Sequence, residues 1–306
     1  MLESVTEPNG QPQLRRSLRV FDGVALLIGI TIGSGIYATP YLIAGYFTSF
    51  TGLIVTWIIV GVFVMIGGLI YAELGTRMPY TGGEYTYITR CFGPFAGFMF
   101  GWAQLFIIRT SPAAALAIVA ADYVGFFVET DAATRQLIAL SIIAALGLFN
   151  YVGIQWASLF QKVTTVIKVA GLIVFVGAGL FLLQGVLNLL GTQSPPIHDL
   201  GAAGNLIAAL MLIVFTHTGW DRVGYVAGEM ENPRAVIPKS MFIGLTIILL
   251  IYWAANTIYH YTLGMDGIRA TTTPAADVAT VMVGSVGAAV VALLAISRPS
   301  GASTAR

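Results

Sequence analysis

The chain has 306 residues, of which 57% are hydrophobic and 9% charged; its mean hydropathy is +0.84 and its formal net charge +1. A soluble domain carries charge on about a quarter of its residues, so this composition excludes a water-covered globular surface and sets most of the surface against lipid. The near-zero charge implies no polybasic or acidic partner and no nucleic acid, the lone Cys91 excludes a disulfide framework, and the scattered His198, His217 and His260 suggest no metal site.

Residues 1–20 are polar and contain no cleavable signal peptide. A helix crosses a bilayer with about 20 apolar residues. Eight segments are read as spans: Val24–Tyr46, Leu53–Leu74, Phe95–Phe127, Gln136–Tyr151, Ala157–Leu183, Ala202–Gly228, Met241–Tyr261 and Val281–Ile296. They divide the chain into a tail (1–20), a first five-helix unit (21–183), a loop (184–200), a second unit holding helices 6 to 8 (201–297) and a polar tail (298–306). With a cytoplasmic N-terminus, the inner side carries Arg15, Arg16, Arg19, Arg77, Arg90, Lys162, Arg234 and Lys239, and the outer side Arg135 and Arg269. That asymmetry is the one expected of a multi-pass protein of the cell membrane with its N-terminus inside.

Helices 1 and 6 are separated by an odd number of crossings, so they run in opposite senses. Each is interrupted near mid-span, helix 1 by Gly33-Ser34-Gly35 and helix 6 by Thr216-His217-Thr218-Gly219. Paired interrupted helices in two inverted halves point to a transporter's binding site. Unwound backbone cannot face hydrocarbon without a large cost. The half-helix after Gly35 aims its positive N-terminal end into the gap, where a carboxylate fits. The half-helices ending near Ile32 and Phe215 aim carbonyls inward, where an ammonium fits. A carboxylate and an ammonium a few ångströms apart describe an α-amino acid.

The run Gly29-Ile30-Thr31-Ile32-Gly33-Ser34-Gly35-Ile36-Tyr37-Ala38-Thr39-Pro40 resembles the helix 1 signature of the amino acid–polyamine–organocation superfamily. So do Ala72-Glu73-Leu74-Gly75, Pro79, Gly82-Gly83-Glu84-Tyr85 and Phe92-Gly93-Pro94 between helices 2 and 3. Asn150, Gly153, Gln161 and Lys168 resemble its helix 4–5 region, and Phe215, Gly219-Trp220, Glu229, Asn232-Pro233 and Pro238 its helix 6 and following loop. Ile107-Ile108-Arg109 is similar to the L-type amino acid transporter branch. The resemblance covers roughly Arg16 to Tyr261. It implies an all-α polytopic transporter with twelve helices and two inverted five-helix repeats, of which this chain would hold about eight helices, as if truncated after helix 8.

Within that fold the substrate is expected against Ile30, Gly33, Ser34, Gly35, Ile108, Phe215, Thr218 and Gly219. Ser34 and Gly35 would hold the carboxylate; the Ile30 and Phe215 carbonyls would hold the ammonium, and Phe215 matches the family's aromatic gate. Lys168 resembles the helix 5 lysine that replaces a sodium ion in sodium-independent members and would link helix 5 to the helix 1 break. His217 reads equally as a proton sensor or as a cap for backbone carbonyls, and Trp220 as a support for the gate. Glu73, Glu84, Glu229 and Arg234 would form cytoplasmic salt bridges, and Arg109, deep in helix 3, has no evident partner.

These residues imply amino-acid transport by alternating access, as exchanger or secondary transporter. Neutral L-amino acids are favoured, because helices 1, 3 and 6 offer no acid in the gap except Asp221 at its edge. A polyamine or cationic amino-acid carrier, and a non-transporting receptor or inactive permease fragment, are the alternatives. No nucleophile–base pair or Walker motif suggests an enzyme, no cofactor is implied, and an accessory membrane subunit is left open.

Overall fold

The computed structural model describes residues 16–33, 35–125, 131–152, 166–167, 169–179 and 195–284. Eleven helices are found there: α1 (Val20–Thr31), α2 (Gly35–Ala44), α3 (Phe50–Arg77), α4 (Glu84–Phe92), α5 (Pro94–Ala103), α6 (Thr110–Gly125), α7 (Ala132–Val152), α8 (Val169–Gly179), α9 (Gly201–Thr216), α10 (Pro233–Arg269) and α11 (Pro274–Val283). A π-helical turn, Gln104–Ile108, joins α5 to α6, and a 3-10 segment, Trp220–Glu229, follows α9. Four stretches are long and apolar enough to cross a membrane: Phe50–Arg77, Pro94–Asp122, Gly201–Glu229 and Pro233–Arg269. The molecule is an all-α polytopic membrane protein.

The core is organised by α3 against α10. Gly61, Gly68 and Gly75 recur every seven residues along α3 and form one smooth stripe. A Cβ added at Gly61 would lie 2.8 Å from Leu249, one at Gly75 3.1 Å from Ile237, and one at Gly68 would overlap Leu245. The partners descend along α10 as the glycines ascend along α3, so the two helices are antiparallel, and close approach through small residues is how membrane helices gain packing energy. The other face of α3, with Ile59, Val62, Phe63, Ile66 and Ile70, is exposed and suits lipid.

Side chains and backbone tie the two ends of the bundle. At the end holding the N-terminus, Ser17 and Leu18 N–H groups donate to the Glu229 carbonyl (2.8 and 3.0 Å), Glu231 N–H donates back to Leu18 O (3.1 Å), and Arg19 Nε meets Glu231 Oε1 at 3.0 Å. At the opposite end, Ile197 and His198 N–H groups donate to Gly45 O (2.9 and 3.2 Å). Arg269 there donates to the carbonyls of Ala44 (3.0 Å), Pro195 (3.2 Å) and Phe47.

Several sequence boundaries change. Helix 3 is not one regular helix but is wound into a π turn in mid-span. Helix 7 extends beyond Met241–Tyr261 at both ends, with its last turns offset at Gly264, where φ is +69°. Two helices too short to cross a membrane lie between the expected spans: α4, bounded by Gly83 and Gly93-Pro94, and α11, entered at Thr273-Pro274 with Asp277 in its first turn and running into the start of the expected span 281–296. Both show helix-start chemistry. About half of the expected span 157–183 and three quarters of 281–296 lie outside the described residues.

Candidate functional site

Both expected interruptions are present, and they are packed against each other. α1 stops at Thr31, Ile32 turns extended (φ −71°, ψ 93°), and the chain is helical again from Gly35. α9 stops at Thr216, and residues 217–219 turn before the 3-10 segment. The contacts are reciprocal. A Cβ on Gly35 would lie 3.3 Å from Thr216 Cα, at the C-terminal end of α9; one on Gly219 would lie 3.2 Å from the Ile30 carbonyl, at the C-terminal end of α1. Each half-helix start therefore abuts the other helix's half-helix end. Thr39 Oγ1 and Thr216 Oγ1 join the two elements at 2.9 Å.

The last carbonyls of a helix have no partners within it, and at α9 all four are filled. Ile213 O accepts His217 N–H (3.3 Å) and His217 Nδ1 (2.8 Å). Val214 O accepts His217 N–H (3.0 Å); Phe215 O accepts Thr218 N–H (3.1 Å) and Thr218 Oγ1 (2.6 Å); Thr216 O accepts the Tyr252 hydroxyl (3.2 Å). Because a carbonyl only accepts, the bond to Ile213 puts a proton on His217 Nδ1. The His217 ring is fully buried between Trp57 and Tyr252, at centroid distances of 5.4 and 5.1 Å. The histidine thus donates to a carbonyl at the end of α9. At α1, Ile28 O accepts Ile32 N–H (2.8 Å) and Thr31 O accepts Tyr252 Oη (3.0 Å). Among the described residues no donor reaches the Ile30 carbonyl, which faces Gly219.

Beyond Gly219 lies a charged cluster. Asp221 Oδ1 accepts the Gly219 N–H at 3.2 Å, and Asp221 Oδ2 faces Arg222 Nε (3.4 Å) and Arg109 Nη2 (3.7 Å). Glu84 accepts from Tyr71 (2.7 Å), Gln104 (3.1 Å) and Tyr225 (3.2 Å), with Arg109 Nη2 at 4.0 Å. Arg109 stands directly after the π turn and finds two acids. Helix 3 is thereby linked to the start of the 3-10 segment.

Gly33, Gly35 and Gly219 are buried at the crossing, with Ile30 and Phe215 half-buried beside it and Thr218 exposed. Ile108 is 42% exposed on the π turn and is placed near the breaks only through its neighbour Arg109. Trp220 packs away from the gap, edge-on to Tyr71 at 4.9 Å and against Gly67. Ser34 and Lys168 lie outside the described residues. The expected cytoplasmic salt bridges are rearranged: Glu73 pairs within its own helix to Arg77 (2.5 Å), Glu84 is in the charged cluster, and Glu229 acts through its carbonyl. Among the described residues Arg234 has no ion pair; Arg19–Glu231 takes that place. Sequence reasoning missed Tyr252 and Tyr259. The signal for them is a polar edge on an apolar helix, Tyr252-x3-Asn256-x2-Tyr259, which falls on one face.

Comparison with known proteins agrees with this architecture. The family model described as amino acid permease matches residues 18–304. The chain is 29% identical over 287 residues to the serine/threonine exchanger SteT of Bacillus subtilis, covering 92% of this chain and 63% of that protein. It is 28% identical to the human cystine/glutamate transporter (95% and 59% covered) and 27% to the mouse b(0,+)-type amino acid transporter 1 (80% and 51%). The chain therefore spans about half to two thirds of the length of these relatives. With nearly its whole length matched, this multi-pass membrane protein belongs to the amino acid permease family.

Proposed function

We propose that the protein takes part in amino-acid transport by alternating access, binding a neutral L-amino acid at the paired breaks. The observation that carries this reading is the reciprocal contact of Gly35 with Thr216 and of Gly219 with Ile30. It brings a half-helix N-terminus, suited to a carboxylate, to the same place as carbonyl-bearing C-termini, suited to an ammonium. The described carbonyls divide the ammonium's options. Among the described residues no donor competes for Ile30 O, whereas Phe215 O takes the ammonium by displacing the Thr218 hydroxyl, whose side chain is exposed. Ser34 completes the carboxylate contact and Lys168 the link to helix 5 in this reading.

Two features support neutral over cationic substrates. Asp221 is already faced by Arg109 and Arg222, and Glu84 by Arg109 and three neutral donors. A polyamine would need a carboxylate that these groups do not leave free. The name of one relative, an exchanger of serine and threonine, fits small neutral amino acids and exchange. In the same reading the N-terminus is cytoplasmic and the membrane that of the cell, a reading supported by the arginines and lysines at the tied Ser17–Glu229 end.

The test is binding and counterflow of radiolabelled amino acids by the purified chain in liposomes. Saturable binding of L-serine, L-alanine or L-leucine is expected, competed by the L-isomer and not by the analogue in which hydroxyl replaces the ammonium. Binding of putrescine or lysine in preference to all neutral amino acids would overturn the substrate class. Absence of any stereoselective amino-acid binding would overturn the reading.

A further inference from the structure

In α10, Tyr252 and Tyr259 are both fully buried, and they stand seven residues apart on one face. Among the described residues their hydroxyls donate to backbone carbonyls. Tyr252 Oη donates to Thr31 O (3.0 Å) and to Thr216 O (3.2 Å); Tyr259 Oη donates to Ile36 O (3.2 Å). None of these three carbonyls has its regular helical partner. Thr31 O and Thr216 O end α1 and α9, where the helices stop. Ile36 O lies in the first turn of α2, and the residue four positions on, Pro40, has no N–H to give it. Two tyrosines on one face thus fill an orphan on each side of the helix 1 break, and one of them also fills the end of helix 6.

The spacing has a consequence for the gap. Seven residues of α10 rise about 10.5 Å, whereas the five steps from Thr31 to Ile36 would rise about 7.5 Å in unbroken helix. α1 and α2 run in the same direction as α10, since Thr31 meets the earlier tyrosine and Ile36 the later. Attachment to both hydroxyls favours a stretched helix 1 over a continuous one. Thr31 O and Thr216 O are like ends of two helix dipoles, and they come together on a single proton that neither supplies.

We propose that Tyr252 and Tyr259 are positioning residues that hold the helix 1 break open, with Tyr252 also registering the end of α1 to the end of α9. This rests on the transport reading only for its use: the carbonyls they hold set where the neighbouring Ile30 and Phe215 carbonyls meet an ammonium. Positions on α1 and α9 are then coupled through one hydroxyl, and the position of α2 is controlled separately by the other.

The experiment is electron–electron distance measurement on the full chain in nanodiscs without substrate, in a Cys91→Ser background, since Cys91 is exposed. One label pair, Ala25→Cys with Met211→Cys, reads α1 against α9. A second, Leu42→Cys with Phe63→Cys, reads the last turn of α2 against α3. Tyr252→Phe keeps the ring and removes the hydroxyl; it should at least double the width of the first distribution and leave the second unchanged. Tyr259→Phe should do the reverse, and 3-fluorotyrosine at position 252, which keeps a hydroxyl, should restore the wild-type width. Unchanged widths in both variants would overturn the proposal, as would equal changes at both pairs, which is what general loosening gives. If Tyr252→Phe does not fold, Tyr259→Phe carries the test alone: a change confined to α2 supports the proposal, and no change, or one shared by α9, overturns it. Amino-acid binding is read separately, where Tyr252→Phe should weaken affinity about tenfold. A wild-type chain that binds no amino acid would refute the transport reading and leave the distance test intact.

Discussion

The two breaks solve the same physical problem by opposite means. The helix 6 break largely looks after itself: His217, Thr218 and Asp221, all within or beside the interruption, satisfy the Ile213 and Phe215 carbonyls and the Gly219 N–H, and of its last four carbonyls that of Thr216 alone turns to Tyr252 on α10. The helix 1 break is satisfied by a neighbour, because Thr31 and Ile36 depend on tyrosines more than 200 residues away in sequence. A break that carries its own caps persists as its surroundings shift. A break held from outside follows whatever holds it. Helix 6 is then the local fixture, and helix 1 is the element whose geometry is set by packing against α10.

This asymmetry should appear first at the glycines. Gly219 has φ +124°, a conformation that L side chains rarely adopt, and its Cβ would lie 3.0 Å from Ile30 Cγ2 and 3.2 Å from Ile30 O. Gly219→Ala combines backbone strain with a clash against backbone and is expected to cost about 2–4 kcal/mol, measured by thermal or denaturant unfolding in detergent. Asp221→Ala comes next. It removes the acceptor from a buried N–H and leaves Arg109 to Glu84 alone, with an expected cost of about 1–2 kcal/mol. Gly35→Ala is expected to cost only about 1 kcal/mol: Gly35 has no positive φ, and Thr216 has to give by a few tenths of an ångström. Equal losses for Gly219→Ala and Gly35→Ala would show that the breaks are equally constrained and would remove the contrast.

The same asymmetry explains what was legible in the chain. The helix 6 break could be read because its caps are local: Thr216-His217-Thr218-Gly219 places side-chain donors, acceptors and a flexible residue within one turn. Gly33-Ser34-Gly35 was readable as an interruption, and its pairing with helix 6 as a candidate site, because glycine placement and crossing parity are properties of sequence. The support for helix 1 was not readable in that way. Tyrosines in an apolar helix are ordinarily packing, and only the fold shows that Tyr252 and Tyr259 face orphan carbonyls. The missing N–H of Pro40 was a local clue that Ile36 needs an external donor. Arg109 shows the same limit, since its acids come from the 3-10 segment and from the start of α4. The π turn before it carries no glycine or proline to announce it.

The smallest expected effect tests whether the breaks are joined directly as well as through Tyr252. Thr39 and Thr216 have two hydroxyl protons between them and three contacts to make: Thr39 to Gly35 O at 2.9 Å, Thr216 to Leu212 O at 2.9 Å, and each other at 2.9 Å. One proton is therefore shared, and the link between helices is made at the expense of a link within one of them. Thr39→Val keeps the shape and removes one donor, after which Thr216 can return its proton wholly to Leu212. The expected loss is about 0.5–1 kcal/mol, and the coupling between Thr39→Val and Thr216→Val in a double-mutant cycle should be about 0.5 kcal/mol. A coupling well above that would make the threonine pair, and not the tyrosine, the main joint between helices 1 and 6. A coupling of zero would leave Tyr252 as the hydrogen-bonded connection, and the helix 1 break would then depend still more fully on α10.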